Sequence, residues 1–222
     1  MDVRLAGLSR ALFDLFPPDL APAYVAVTVL GDTVAVTGLL ALLYWWAPDR
    51  RATLSVIGYG FVGFAAVVAL KGLFGWPRPD AALLSAHGYG FPSGHAVAAT
   101  VVYGGLAVER GWLADRRRAA AVTGLVGAVA LSRVALRVHY LGDVVAGVAV
   151  GAALLVATRR LARDAPGRVF AVAALLAVPA LAVAGTGTDA WSVLGGAVGG
   201  LLATTCAGAV PAVASRIEGG AL

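Results

Sequence analysis

The sequence predicts an all-α, polytopic transmembrane helix bundle of about six to seven spans, opened by a short N-terminal amphipathic helix. Three observations carry that prediction. Of the 222 residues, 60% are hydrophobic and 13% charged, and the mean hydropathy is +0.86, a balance far from that of soluble domains. Apolar runs long enough to cross a hydrocarbon core, about 20 residues each, recur along the chain. Finally, 29 glycines against 8% aromatics suit helices that pack in lipid through small residues.

Residues 1–18 place Leu5, Leu8, Leu12 and Leu15 on one side, with Arg4, Arg10 and Asp14 elsewhere, and stop at Pro17-Pro18. Such a helix is expected to lie at the membrane interface. Residues 1–20 are assigned to this segment and 21–222 to a single transmembrane domain. The Met1-Asp2 start lacks a basic region followed by an apolar core, so no signal peptide is expected. Spans are expected at 23–46, 53–74, 94–113, 118–136, 143–161, 168–186 and 190–213. The connectors are short apart from a Pro- and Gly-rich loop over 75–93. Gly147-x-x-x-Gly151, Gly195-x-x-x-Gly199 and Gly196-x-x-x-Gly200 have the spacing of close helix contacts. The single cysteine, Cys206, has no partner for an internal disulfide.

The net charge of +5 sits in short basic clusters between apolar runs, so orientation in the bilayer explains it and nucleic acid does not. Arg50-Arg51, Arg110 with Arg116-Arg117-Arg118, Arg159-Arg160, Arg163 and Arg168 all fall on one side, which the positive-inside rule makes cytoplasmic. The other side receives the N-terminus, the 75–93 loop, the 137–142 turn and the Gly185-to-Asp189 turn. Lys71, Arg78, Arg133 and Arg137 gather there against the rule. A basic cluster at the outward mouth of a bundle is best explained by an anionic ligand.

The residues at that mouth read Lys71-x6-Arg78-Pro79, then Pro92-Ser93-Gly94-His95, then Ser132-Arg133-x5-His139-x3-Asp143. Ser93 is a good N-cap for the third span, which would leave the amides of Gly94 and His95 at a positive helix end. Such an end seats anions, and Gly94 lets the backbone come close. Lys71, Arg78 and Arg133 can surround phosphoryl oxygens. Binding alone does not hydrolyse a phosphate ester, which needs a nucleophile and a proton donor for the leaving group. His139 and Asp143 are four apart, so the carboxylate can accept from one ring nitrogen and leave the other to attack phosphorus. His95 would protonate the departing oxygen and later activate water. No carboxylate cluster for a metal is present, and no cofactor is expected.

These three motifs, in this order, resemble the phosphatidic-acid-phosphatase type 2 (PAP2) superfamily, which includes bacterial lipid phosphatases and the soluble vanadium haloperoxidases. The motif core runs from Lys71 to Asp143, with Lys71 the chain's only lysine. The resemblance implies the same roles: His139 as nucleophile, His95 as acid and base, Asp143 as the brace of His139, and Lys71, Arg78, Ser93, Gly94 and Arg133 around the phosphate. Membrane members commonly carry three spans before the first motif, whereas two are expected here, and three follow the last motif where fewer are usual.

Asp32 either faces a polar interior or sits in the outer interface, and His87 reads as a solvated loop residue or a headgroup contact. Arg137 either snorkels or touches substrate phosphate. Ser132 reads as a helix cap or back-bonding residue. Trp45-Trp46 suits an interfacial belt, and Trp76 either that or a lipid-tail entry.

The expected activity is metal-independent hydrolysis of a lipid phosphate through a phosphohistidine, with the active site extracytoplasmic in a multi-pass cell-membrane protein. One alternative is an isoprenyl diphosphate phosphatase (undecaprenyl- or dolichyl-type) recycling carrier lipid. From another class, a membrane protein could bind or transport phosphate or phospholipid without cleaving it, but such a binder has no need of the His139–Asp143 pair. Expected partners are a lipid phosphate or polyprenyl diphosphate substrate and membrane lipids, with a homo-oligomer left open and no nucleic acid.

Overall fold

A computed structural model describes residues 4–46, 49–162, 165–184 and 187–219, with side chains described up to Cys206. Sequence expectations at Met1-Asp2, at Arg163 of a basic cluster and at Gly185 at the start of its turn lie outside these residues. The described residues form helices and connectors without a strand. In chain order the helices are α1 (Ala6–Phe13), α2 (Ala21–Val29), α3 (Thr33–Trp46), α4 (Arg50–Phe74), α5 (Gly94–Ala99), α6 (Gly105–Glu109), α7 (Arg116–Ala135), α8 (Leu141–Ala162), α9 (Pro166–Ala184) and α10 (Thr188–Gly219).

Among the described residues, five stretches are long and apolar enough to cross a membrane: Pro18–Trp46, Arg50–Phe74, Arg116–Ala135, Leu141–Ala162 and Pro166–Ala184. Two of the expected spans depart from a single straight helix. The run 23–46 is broken at Leu30-Gly31-Asp32 into α2 and α3. Asp32 Oδ1 accepts the Val34 amide at 2.9 Å, a bond that starts a new helix. The break fits because Gly31 passes close over α5: a Cβ there would stand 3.2 Å from the His95 carbonyl oxygen and 2.6 Å from Val129 Cγ1. The run 94–113 is likewise α5, a wide five-residue turn with π-type bonding (Thr100–Gly104), and α6. Thr100 Oγ1 donates back to the Ala96 carbonyl at 2.7 Å, competing with the helix's own bonds. From the same turn, Tyr103 donates to the Leu30 carbonyl at 2.6 Å and ties the two breaks together.

Helix ends follow local chemistry. Asp49 accepts the Ala52 amide at 2.9 Å to cap α4, and Asp115 accepts the Arg117 and Arg118 amides to cap α7. Those amides hold the Asp115 carboxyl below its usual range. Gly75, in the left-handed region at φ 61°, ends α4 by returning its N–H to the Lys71 carbonyl.

α4 packs most extensively on α9, and α9 on α10, while α5 lies between α7 and α8. Gly147 and Gly151 make the α5–α8 contact: a Cβ at Gly147 would lie 2.7 Å from the Ser93 carbonyl oxygen, and one at Gly151 2.8 Å from Thr100 Cβ. Gly196 and Gly200 similarly receive the rings of Phe61 and Phe170, whereas Gly195 and Gly199 meet nothing within 4 Å.

Because successive long helices run up and down, the C-terminal ends of α4 and α7 and the N-terminal ends of α5 and α8 share one end of the bundle. Lys71 and Arg133 lie in last turns, Asp143 in a first turn, and Gly94 and His95 open α5. Arg50, Arg51, Arg116, Arg117, Arg118, Arg159, Arg160 and Arg168 belong to the opposite helix ends.

Candidate active site

A cavity of about 430 Å³ opens where these ends meet. Lys71, Arg78, Gly94, His95, Arg133 and His139 all line it. Six of the eight residues predicted to bind phosphate or act on it thus share one hollow. The other two, Ser93 and Asp143, lie just behind its wall, both fully buried.

The 75–93 loop is folded around Arg78. Its Nε donates to the His87 and Gly88 carbonyls, its Nη2 to His87, and its Nη1 to the Val138 carbonyl at 3.1 Å. Nη1 also lies 3.0 Å from His139 Nε2. Burial lowers the proton affinity of Arg78 from its ordinary value, with Asp143 opposing, and a guanidinium keeps its charge regardless. At the base of this loop, Phe74, Trp76 and Phe91 stack together, with ring centroids 4.6 to 5.0 Å apart. Trp76 therefore belongs to an aromatic cluster and is absent from the cavity wall.

His139 occupies the tight connection between α7 and α8 and is 1% exposed. Its Nδ1 faces Asp143 Oδ2 at 3.5 Å, a contact longer than a formed hydrogen bond. Burial pushes the His139 imidazole down to about 4, against the pull of Asp143 and with the help of Arg78 and Arg133. The ring is therefore neutral at pH 7, with one of its two nitrogens unprotonated.

Asp143 is held from the other side. Arg4 Nε and Nη2 donate to its two oxygens, both at 2.8 Å, and the Tyr140 amide donates to Oδ2 at 3.0 Å. Sequence reading missed Arg4, which it left on the polar side of the 1–18 segment; the partners are 139 positions apart, so no local spacing could reveal them. Thr28 was missed for the same reason: its Oγ1 accepts from Arg133 Nη1 at 2.8 Å and aims that guanidinium.

Ser93 takes the N-cap position of α5 but makes no side-chain cap bond, in contrast to the expected cap. Its amide instead donates to the Asp143 carbonyl at 3.0 Å, locking α5 to α8. Its Oγ is buried without a hydrogen-bond partner among the described residues.

The secondary candidates separate. Asp32, half-buried, lines a second pocket with His87, His95, Arg78 and Arg133 on the outer flank of the site. His87 is exposed there and meets Arg78 through its carbonyl. Arg137 turns away: at φ 57° it reaches α1, where Nη2 donates to the Phe13 carbonyl at 3.2 Å. It lines neither pocket. Ser132 Oγ back-bonds to Val129 at 2.7 Å, and the exposed Trp45 and Trp46 suit a belt. Among the described residues no group of three or more His, Cys, Asp or Glu side chains is placed to hold a metal.

A convergence of three cations and two imidazoles at helix ends has a counterpart in a protein family. The family model for the PAP2 superfamily matches residues 52–166, which hold all three motifs. The chain belongs to the PAP2 superfamily. Phosphate-ester hydrolysis is therefore its chemistry, and the fold is that of the membrane PAP2 phosphatases. The crystal structure of a transmembrane PAP2-type phosphatidylglycerolphosphate phosphatase from Bacillus subtilis is similar with a TM-score of 0.60 at 23% identity, covering 72% of this chain and 85% of that one. The crystal structure of Aquifex aeolicus LpxE is similar with a TM-score of 0.60 at 21% identity, covering 68% of this chain and 92% of that one. No curated protein matches the chain. The PAP2 match ends at the start of α9, so α1 to α3 and nearly all of α9 and α10 lie outside it.

Proposed function

We propose that this PAP2 protein hydrolyses a lipid phosphate at the extracytoplasmic face, through a phosphohistidine on His139 and without a metal. The observation that carries the lipid is the shape of the cavity. From the cation cluster it continues as an apolar trough between α3, α4 and α5, past Val67 and Phe64 to Ile57 and Leu40. Lys71 and Ile57 are 14 positions apart on α4, so the trough runs about 20 Å at 1.5 Å per residue. A water-soluble phosphate ester has no use for such a wall, whereas an acyl or prenyl chain fills it.

In this reading Lys71, Arg78 and Arg133 hold the phosphoryl oxygens, with the first-turn amides of α5 behind them. His139 Nε2 attacks phosphorus, forming a P–N bond as the P–O bond to the lipid breaks. The Nδ1 proton stays directed at Asp143, which stabilises the cationic ring. His95 gives its proton to the departing oxygen, and the phosphate's negative charge offsets the cations around that imidazolium. The neutral His95 then takes a proton from water, which attacks phosphorus and releases inorganic phosphate with His139 restored. The arginine clusters, which stand at the bundle end away from the site, support this sidedness.

Phosphate release by the detergent-purified protein tests this, with phosphatidate, phosphatidylglycerophosphate and a polyprenyl diphosphate as substrates. Wild type is expected to turn over at least one of them, EDTA to leave the rate intact, and His139→Ala and His95→Ala to abolish it. Equal rates in all three proteins would remove the catalytic reading and leave a lipid-phosphate binder. Relative kcat/KM across the panel decides between a phosphomonoesterase and a carrier-lipid diphosphatase.

A further inference from the structure

Arg4 connects the N-terminal segment to the catalytic dyad. Leu5, just before α1, stands at φ 53°, a left-handed conformation that a leucine rarely adopts. Such outliers persist where surrounding contacts over-determine them, and contacts of that kind are present on both sides of Leu5. Before it, the Arg4 guanidinium forks onto Asp143 at 2.8 Å and 2.8 Å, and the Arg4 carbonyl accepts the Gly142 amide at 3.0 Å. After it, Ser9 Oγ, fully buried, accepts the Leu141 amide at 2.8 Å. The guanidinium is sandwiched near Tyr140 and Trp76, 4.6 and 5.6 Å from their ring centroids. Its side chain is 14% exposed and that of Asp143 is 0%.

A buried carboxylate needs donors and a counter-charge. Asp143 receives two of its donors from Arg4 and a third from the Tyr140 amide, and its Oδ2 is thereby left facing His139 Nδ1. Without Arg4 it would keep the Tyr140 amide, and its charge would fall on the nearest proton acceptor, the His139 ring. We propose that Arg4 is a positioning residue for the His139–Asp143 pair: it fixes the carboxylate behind the ring and neutralises it, so that His139 stays an uncharged nucleophile. This rests on the reading of His139 as the group that attacks phosphorus. It makes α1 part of the catalytic apparatus.

The test uses the full chain in detergent, with phosphatidate and farnesyl diphosphate as probes, and compares wild type, Arg4→Ala, Arg4→Lys and Ser9→Ala. The groups facing His139 are Asp143 from α8, Arg78 from the long loop, Arg133 from α7 and His95 from α5, with Lys71 of α4 across the cavity; all are intact in these variants. Arg4→Ala is expected to lower kcat about 10- to 100-fold, as loss of a ligand-orienting partner does, with KM little changed. Its acid limb should move to higher pH, because an unneutralised Asp143 draws a proton onto His139. Arg4→Lys keeps the charge and loses the fork, so the limb stays in place while kcat recovers only in part. Ser9→Ala loosens α1 without touching the clamp and leaves the limb unmoved.

Wild-type kcat and an unmoved limb in Arg4→Ala would overturn the proposal. So would a loss that tracks only the folded fraction. Where Arg4→Ala does not fold, Arg4→Lys decides: full kcat refutes the fork, and a lowered kcat with an unmoved limb supports it. His139→Ala run in parallel separates the two ideas. An active His139→Ala sinks the nucleophile assignment, while an inactive one beside an unimpaired Arg4→Ala sinks the clamp alone.

Discussion

Arg78 Nη1 lies 3.0 Å from Nε2 of His139. A guanidinium only donates, so Nε2 accepts and is assigned as the unprotonated nitrogen, with the ring proton on Nδ1 toward Asp143. That is the tautomer an attack on phosphorus requires. The same contact means that a phosphoryl group must take Arg78's donor for itself before Nε2 is released. In the proposed mechanism, recognition of the phosphate and exposure of the attacking nitrogen are then one event.

Replacing Arg78 should therefore be severe. Arg78→Ala is expected to lower kcat/KM by about 3 to 4 kcal/mol, or roughly 10²- to 10³-fold, as for other preorganised donors. Arg78→Lys should recover little, since an ammonium cannot span the His87, Gly88 and Val138 carbonyls while facing Nε2. Steady-state kinetics on the two variants checks this, and a fully active Arg78→Lys would contradict it.

His139 should titrate near pH 4 and not at its ordinary 6.5. In ¹⁵N-histidine NMR, the resonances absent from His139→Gln should stay those of a neutral ring until the pH approaches that lower value. The sign for stability follows. Between pH 6.5 and about 4 the unfolded chain binds a proton that the folded chain refuses, so this group's contribution is complete above 6.5 and lost as pH falls. A midpoint at 6.5 would mean that the ring is solvated.

Chain length of the substrate should be read by the trough. Gly60 faces it, and a Cβ there would meet only Val102 Cγ2, at 3.9 Å. Gly60→Leu can be accommodated and displaces two or three methylenes of a bound tail, a loss of about 2 kcal/mol or roughly 30-fold in kcat/KM for long-chain lipids. Short-chain soluble esters should be hydrolysed at wild-type rates. An equal loss for both would argue against a tail in this trough.

Two glycines of equal sequence merit should behave differently. Gly147→Ala drives a Cβ to 2.7 Å from the Ser93 carbonyl oxygen, so α5 must shift, at about 1 to 3 kcal/mol. Both melting temperature and kcat should fall, since Ser93 adjoins Gly94 and His95. Gly195→Ala meets nothing within 4 Å and should do neither. Differential scanning fluorimetry with activity measured on the same samples distinguishes them.

Sidedness is tested by Ala81→Cys in the exposed part of the 75–93 loop. The native Cys206 is exposed, so it is first replaced by alanine. A membrane-impermeant maleimide should label Ala81→Cys on intact cells; labelling only after lysis would place the site on the cytoplasmic face.

Much of this protein was legible in one dimension. Spans are legible because each must be apolar for about 20 residues whatever it packs against. Lys71, Arg78, Gly94, His95, Arg133 and His139 were legible because each lies next to a connection at the same end of an up-and-down bundle, where the cations break the positive-inside pattern. Legibility failed wherever a partner was remote. The breaks at Leu30-Gly31-Asp32 and at Thr100–Gly104 sit in apolar runs that read as continuous helix, and Tyr103 of one bonds Leu30 of the other. Ser93 looked like a cap, but burial behind Gly147 and its amide bond to Asp143 gave it another task.

In one dimension it was already settled that the chain crosses a membrane, which end gathers the cations of the three motifs, and which imidazole is followed four residues on by a carboxylate. Those properties depend on hydropathy and on spacing along a helix, both local. Only the tertiary structure decided that Arg4 backs Asp143, that Arg137 braces α1, that Thr28 aims Arg133 and that α3 supplies one wall of an apolar trough. The physical reason is that a hydrogen bond or a packing contact acts within a few ångströms of space, and the 139 positions between Arg4 and Asp143 leave no trace of it in composition or period.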